Sequence, residues 1–238
     1  MGPTAPSQVV LQFPSSTVPN RAGLAGFAPW RAPAYPDRLS WVVLLLPYLE
    51  APPEEGKRRV RVNRRLDALQ SELNGERPWD DPANAAASET LLYQLLCPAH
   101  PDFDPDHRPA PTHYPGIAGV GADAAMLPRE SERAGFFGYE RRLRVTGPAV
   151  GEDLPRGPSH TMLCAESMRG NGAWAAGGRS TVRPLDPDDL PYVGYNRQFG
   201  GLHPGGANLL MVGAEVQFFS EKGNPQVFES LATLWKED

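Results

Sequence analysis

The sequence has no long uninterrupted apolar run, because its longest candidate, Trp41–Leu46, stops at Pro47. A membrane-spanning helix needs about 18 or more apolar residues, so we expect no membrane segment within this chain. Residues 1–14 carry neither a basic region nor an apolar stretch, and no cleavable secretion signal is predicted. Positive charge is not in surplus either. The 23 basic and 28 acidic residues give a net charge of −5, which argues against nucleic acid as a partner.

Cysteine is scarce, since Cys97 and Cys164 are the only two in the chain. Two thiols exclude a multi-bridge disulfide framework and a zinc site built from four thiolates. The sequence leaves open whether they form one bridge. We favour two unpaired, half-buried thiols, because cysteine packs readily as a small apolar group.

Glycine and proline are abundant, with 24 Gly and 27 Pro making about a fifth of the 238 residues. This content stays below that of low-complexity disorder and predicts a loop-rich protein with few helices. Prolines are dense in residues 1–39, which we expect to form an extended Pro-rich arm containing one short strand at Val9–Phe13. Residues 40–238 are expected to form a single domain.

Helix signals occur near both ends of the predicted domain. Trp41–Leu46 fits a short buried helix capped by Asp37 or Ser40, although its β-branched pair fits a strand nearly as well. Asp80–Leu96 gives the strongest helix pattern in the chain. Asn224 and Pro225 predict the cap and first turn of a terminal helix. Its apolar face would comprise Val227, Phe228, Leu231, Leu234 and Trp235.

Short strands separated by Gly/Pro clusters are predicted after residue 98. They are Thr112–Tyr114, Ile117–Val120, Phe136–Tyr139, Arg142–Val145 and Thr161–Ala165. The Gly-rich residues 170–200 are predicted to form a surface loop. Asn208–Val212 and Glu215–Phe219 form the clearest pattern, a hairpin joined by Gly213-Ala214. Glycine in the first position of that connection predicts a type II′ turn.

Several local patterns suggest ligand binding without completing a site. Lys57–Arg65 has six cations in nine residues and suits a phosphate or acidic partner, but a solvated face is the favoured interpretation. Asp102, Asp104 and Asp106 resemble the start of a calcium loop, yet the turn glycine and the final glutamate of that loop are missing. The histidine spacing (His100, His107, His113) matches no common zinc pattern, so the metal ligands are predicted as none.

Catalytic signals are equally incomplete. Ser159-His160 lacks the context of a nucleophile elbow, and Glu166 has no identifiable partner for acid–base chemistry. His203 and Asn208 are interpreted as residues that hydrogen-bond their own tight loop. No catalytic residue, cofactor-binding residue or cofactor is assigned, and the chain is predicted not to be an enzyme.

The C-terminal segment Phe199–Phe218 resembles the H-x9-D-G signature of domain-of-unknown-function family 1559, pseudopilin-like proteins also called solute-binding family 10. Other matching pieces follow in the same order along the chain: Ser40–Glu50, Pro78–Asn84, Leu96–Pro98, Thr112–Gly119 and Ser159–Glu166. The resemblance implies a pilin-like α+β head with an antiparallel sheet, few helices and long Pro/Gly-rich loops. It also implies a role in filament or envelope assembly, through protein partners or self-association. The family has no established activity and supplies no site residues.

Two departures from that family matter. The Asp-Gly of the signature is replaced by Gly213-Ala214, so we expect the hairpin but no role for an aspartate there. The sequence does not show the pilin-type N-terminal helix of the family. A cell-envelope location is expected if such an anchor has been removed. The alternative is that this member has lost filament anchoring.

Two other functions are alternatives to the structural one. A solute- or glycan-binding module is suggested by aromatic and polar loop residues at Trp174, Tyr192, Tyr195 and Asn196. A hydrolase that uses Glu166 or the histidines is the more distant alternative.

Overall fold

A five-stranded mixed sheet organises the fold in the computed structural model, which describes residues 12–13, 37–50, 63–100, 108–141, 143–144, 150–201 and 203–235. Its strands are β2 (Gly116–Val120), β4 (Met162–Ala165), β5 (Val182–Leu185), β6 (Gly206–Met211) and β7 (Val216–Ser220). They lie in the order β5-β2-β4-β6-β7. A separate two-stranded sheet pairs β1 (Gln12–Phe13) with β3 (Leu143–Arg144). The expected α+β class with few helices is confirmed.

The sheet is antiparallel except at one edge, where β5 runs parallel to β2, so the expected antiparallel sheet was wrong at that edge. The sequence analysis placed β5 inside a surface loop, and that assignment was wrong for Val182–Leu185. Val182 and Leu185 are fully buried, so this short segment completes the sheet. Two other predicted strands, Thr112–Tyr114 and Phe136–Tyr139, are irregular in the structure. Phe136 and Phe137 instead pack edge to face in the core.

Helices are short throughout the described residues: α1 (Val42–Leu45), α2 (Arg64–Glu72), α3 (Pro82–Ser88), α4 (Val150–Asp153) and α5 (Pro225–Ala232). The Trp41–Leu46 segment is therefore helical, and Ser40 Oγ accepts a hydrogen bond from Val42 N at 3.2 Å. Asn63 caps α2 through Arg65 N, and Asn224 caps α5 through Gln226 N. No helix among these is long and apolar enough to cross a bilayer.

The predicted Asp80–Leu96 helix is correct only in its first half. Asp81 caps the helix by accepting from Ala83 N, but α3 ends at Ser88 and a separate 3-10 turn follows at Tyr93–Leu95. The Trp174 indole donates to the carbonyl of Thr90 at 2.9 Å, at the point where the chain leaves the helix. Tertiary contacts thus override the local helix preference.

Two hydrophobic clusters form the core. One contains Trp41, Phe137 and Trp174 beneath the N-terminal helices. The other lies between the sheet and α5, where Phe228 packs against the rings of Tyr192, Phe199 and Phe219. Val227 is 49% exposed, and Leu234 and Trp235 lie beyond the end of α5 at Ala232, so the prediction that these three residues belong to its apolar face was wrong.

The C-terminal hairpin is confirmed, but its turn differs from the predicted one. Leu210 pairs with Val216, Met211 N donates to Glu215 O, and Ala214 N donates to Met211 O. The left-handed residue is Ala214, with φ 69°, and not Gly213. A three-residue loop whose last residue is left-handed explains this geometry, so the type II′ assignment was wrong.

Several sequence predictions fall on residues outside the described set. These include most of the 1–39 arm, in which Gln12–Phe13 does lie in a strand as expected, and residues 57–62 of the cationic run. The Asp102, Asp104 and Asp106 motif and His107 also lie outside it. The division into an arm and one domain stays a prediction.

Candidate functional site

Three side chains that are distant in sequence meet beside the sheet. Cys97 follows the 3-10 turn, Glu166 directly follows β4 and His203 precedes β6. The Cys97 Sγ lies 3.3 Å from His203 Nε2, which in turn lies 3.2 Å from Glu166 Oε1. Cys97 Sγ and Glu166 Oε1 are 3.9 Å apart. We call these three residues the Cys-Glu-His cluster.

Glu166 is fixed by the pairing of β4 with β6. Ala165 is in register with Leu209, and Glu166 N donates to Asn208 O at 3.0 Å. The carboxylate receives two bonds from Asn208, one from the backbone N to Oε2 at 2.8 Å and one from Nδ2 to Oε1 at 3.1 Å. Glu166 is only 4% exposed. A buried carboxylate held this way has a defined direction, and it points Oε1 at His203.

Cys97 is positioned by a loop that His113 holds in place. Cys97 N donates to His113 Nδ1 at 3.0 Å, and His113 N donates to Leu95 O at 2.8 Å. The ring of His113 stacks on that of His100 with centroids 4.9 Å apart. Burial, and then the neighbouring His100, lower the pKa of His113 to about 4, so this ring is neutral near pH 7 and can accept the Cys97 N–H.

The electrostatics of the cluster do not activate a nucleophile. Burial raises the pKa of Cys97 and the Glu166 carboxylate raises it further, while hydrogen bonds with the Ala99 backbone and the Tyr114 side chain oppose that rise. Reactive cysteines have the opposite character, with a lowered thiol pKa. In a catalytic relay, moreover, the carboxylate binds the ring nitrogen that the nucleophile does not. Here Cys97 and Glu166 both face Nε2 of His203.

The structure also places the Ser159-His160 pair and the two cysteines. Ser159 and His160 lie in a 3-10 turn, and Ser159 Oγ donates to Glu215 Oε1 at 2.7 Å. Cys97 and Cys164 are both free, as expected, but they are buried and not half-buried. Burial, and secondarily Glu166, raise the pKa of Cys164 to about 12.

The aromatic residues suggested for solute binding do not form a platform. Trp174 and Tyr192 are fully buried, and the Tyr192 hydroxyl hydrogen-bonds Glu229. Tyr195 is 80% exposed and Asn196 takes a left-handed turn conformation with φ 54°. Two of the four side chains are therefore closed to a ligand.

The sequence analysis missed the Cys-Glu-His cluster because its members belong to separate segments. Glu166 was set aside for want of a partner, and His203 and Asn208 were interpreted as residues of a self-contained loop. Asn208 instead binds Glu166 through its side chain. The β4–β6 pairing was the missing information, since it places the segments of Glu166 and Asn208 side by side.

A second unusual region is the outer face of β7. Val216 is 68% exposed and Phe218 is 55% exposed, and together we call them the hairpin face. Phe218 stands opposite Asn208 in the β6–β7 register. Directly opposed residues project to the same side of a sheet, so the hairpin face continues the side that carries the Cys-Glu-His cluster.

No model of a known protein family, no curated protein and no solved structure matches this chain significantly. The resemblance to family 1559 therefore stays a prediction.

Proposed function

We propose that this chain is a non-enzymatic interaction domain, similar to a pseudopilin head, that associates with other copies of itself through strand β7. The observation that carries this proposal is the exposed apolar pair Val216 and Phe218 on a strand that lies at the edge of the five-stranded sheet. Filament or envelope assembly is the setting that the family resemblance suggests.

The composition of β7 supports this role. Native edge strands are usually protected by charged residues, proline or bulges, because an unpaired edge is a template for another strand. The five residues Val216–Ser220 include no charge and no proline, and their pairing to β6 is regular. An added strand from a second chain would pair with the backbone of β7 and place its own side chains beside Val216 and Phe218.

The turn of the hairpin supports the likeness to the pseudopilin-like family. The left-handed conformation falls on Ala214, the position at which the H-x9-D-G signature has glycine. Glycine is the residue that adopts this conformation at least cost. The glycine of the signature would suit the left-handed backbone found at this position.

Neither alternative function has comparable support. A hydrolase with a cysteine nucleophile needs a lowered thiol pKa and a relay through both nitrogens of a histidine, and the Cys-Glu-His cluster offers neither. A solute-binding module would need accessible aromatic faces, which Trp174 and Tyr192 do not provide.

The test is size-exclusion chromatography with light scattering over a range of protein concentrations. The wild-type chain should show a mass that rises from monomer towards dimer, and Phe218→Lys should remain monomeric. Met126→Lys is the matched control, since Met126 is 64% exposed but lies outside the hairpin. A wild-type chain that stays monomeric at every concentration, or equal self-association of Phe218→Lys and wild type, would overturn the proposal.

A further inference from the structure

We propose that Cys97, Glu166 and His203 bind a divalent transition-metal ion of the zinc class. The three donor atoms converge from three separate segments and lie within 4.8 Å of one another. This inference is independent of self-association through β7, because it rests on a different set of residues.

The distances between the donor atoms fit one shared ion. With bonds of about 2.3 Å to sulfur and about 2.1 Å to nitrogen and oxygen at tetrahedral angles, neighbouring donors lie about 3.4–3.6 Å apart. The observed separations are 3.3 Å for S···N, 3.2 Å for N···O and 3.9 Å for S···O. Each is within about 0.3 Å of the separation that a tetrahedral site requires.

Hydrogen bonding alone accounts for this arrangement less well. Nε2 of His203 can carry one proton, yet it faces both the thiol of Cys97 and the carboxylate of Glu166. The direct Cys97–Glu166 separation of 3.9 Å is long even for a sulfur donor. A cation at the common centre would satisfy the sulfur, the ring nitrogen and the carboxylate oxygen together.

The donor types select the class of ion. A thiolate and an imidazole are ligands for zinc and similar transition metals, whereas calcium and magnesium take oxygen ligands. Three protein ligands leave a fourth position, which water or a group from a partner would fill. The side chain of His203 is 32% exposed, while that of Glu166 is 5% exposed, so the cluster is reached from solvent on the His203 side.

The surroundings provide the outer hydrogen bonds that metal ligands need. Asn208 binds both carboxylate oxygens of Glu166, and His113 binds the backbone of Cys97. Such partners fix ligand direction, and their loss commonly weakens metal affinity by about 10–100-fold. Asn208 is thus a positioning residue for the ligand Glu166.

Cobalt titration of the chelator-treated protein tests this inference, because cobalt bound to a thiolate gives a near-ultraviolet charge-transfer band. The wild-type chain should bind one Co²⁺ per chain, show that band, and lose it when Zn²⁺ displaces the cobalt. Cys97→Ala should abolish the band, and Glu166→Gln should weaken binding. Asn208→Ala should weaken cobalt binding by about 10–100-fold.

The second cysteine supplies the matched control. Cys164 is also a buried free thiol, but its sulfur is not part of the cluster, so Cys164→Ala should keep the band and the stoichiometry. If Cys97→Ala fails to fold, alkylation of thiols in the wild-type chain is the second test. Added Zn²⁺ should then protect the Cys97 thiol from the alkylating reagent. A wild-type chain that binds no cobalt, or binds it without the thiolate band, would overturn the metal site and leave a hydrogen-bonded cluster.

Discussion

The Cys-Glu-His cluster and the hairpin face both depart from the usual placement of side chains, in which charged groups are exposed and aromatic groups are buried. The cluster buries a carboxylate that is 4% exposed, whereas the hairpin face leaves Phe218 55% exposed. Folding stability alone favours neither choice, because buried polar groups cost free energy and exposed aromatics gain little. The contrast is what the two proposals would require, since a metal site needs buried polar donors and a docking strand needs exposed apolar side chains.

Asn208 joins the two regions. Its side chain donates to Glu166 Oε1, and its backbone lies opposite Phe218 across the β6–β7 ladder. Asn208 is therefore a residue of β6 that is adjacent to both regions. The following predictions test how separate the two regions are, from the largest expected effect to the smallest.

Phe228→Ala should cost about 3–5 kcal/mol of the free energy of unfolding, since it empties the apolar centre on which the hairpin packs. Phe228 is fully buried among Tyr192, Phe199 and Phe219. Urea denaturation measures the loss. A cost below about 1 kcal/mol would show that the α5 side of the sheet does not support the hairpin.

Glu166→Ala in the metal-free protein should cost about 2–4 kcal/mol, because it removes the acceptor for two Asn208 donors in a buried site. The same urea experiment applies. Zinc should stabilise the wild-type chain but not this variant, and equal stabilisation of both would argue against Glu166 as a ligand.

Asn208→Ala should cost about 1 kcal/mol in the metal-free protein, because only its side-chain bond is lost while its backbone N–H still reaches Glu166. Light scattering on the same variant tests the coupling between regions. Self-association equal to that of the wild-type chain would show that the hairpin face acts without the cluster.

Ala214→Gly should raise the free energy of unfolding by up to about 1 kcal/mol. Ala214 holds a left-handed conformation at φ 69°, which costs a residue with a Cβ more than it costs glycine. Thermal unfolding gives the readout, and Gly213→Ala is the neighbouring comparison. A destabilised Ala214→Gly variant would contradict the turn described here.

Phe218→Lys should change stability by no more than about 0.5 kcal/mol, since more than half of the side chain is already exposed. The Phe218→Lys substitution should reduce self-association and leave folding stability nearly unchanged. A large loss of stability would mean that Phe218 is part of the core, and the hairpin face would lose its distinct role.

Local signals in the sequence were reliable where structure is set by neighbouring residues. The Asn224 cap, the Pro225 first turn and the β6–β7 hairpin were all predictable, because each depends on a few adjacent positions. The end of α3 was not predictable, because Trp174 contacts Thr90 from a distant segment. The left-handed Ala214 was missed since Gly213, its neighbour, looked like the better residue for a positive φ.

The Cys-Glu-His cluster could not be predicted either, because it also depends on contacts between distant segments. Cys97, Glu166 and His203 show no spacing motif, and only the β4–β6 pairing and the His113 loop bring them together. The scarcity of helices could be predicted from composition, and the α+β class was what the family resemblance implied, whereas the parallel β2–β5 pair could not be predicted. Distant pairing, not local propensity, places the donor atoms.

X-ray absorption at the zinc edge of the zinc-loaded wild-type chain tests the central claim most directly. The account predicts one sulfur neighbour at about 2.3 Å with nitrogen and oxygen neighbours at about 2.0–2.2 Å, and loss of the sulfur shell in Cys97→Ala but not in Cys164→Ala. A zinc spectrum with oxygen and nitrogen neighbours alone would contradict it.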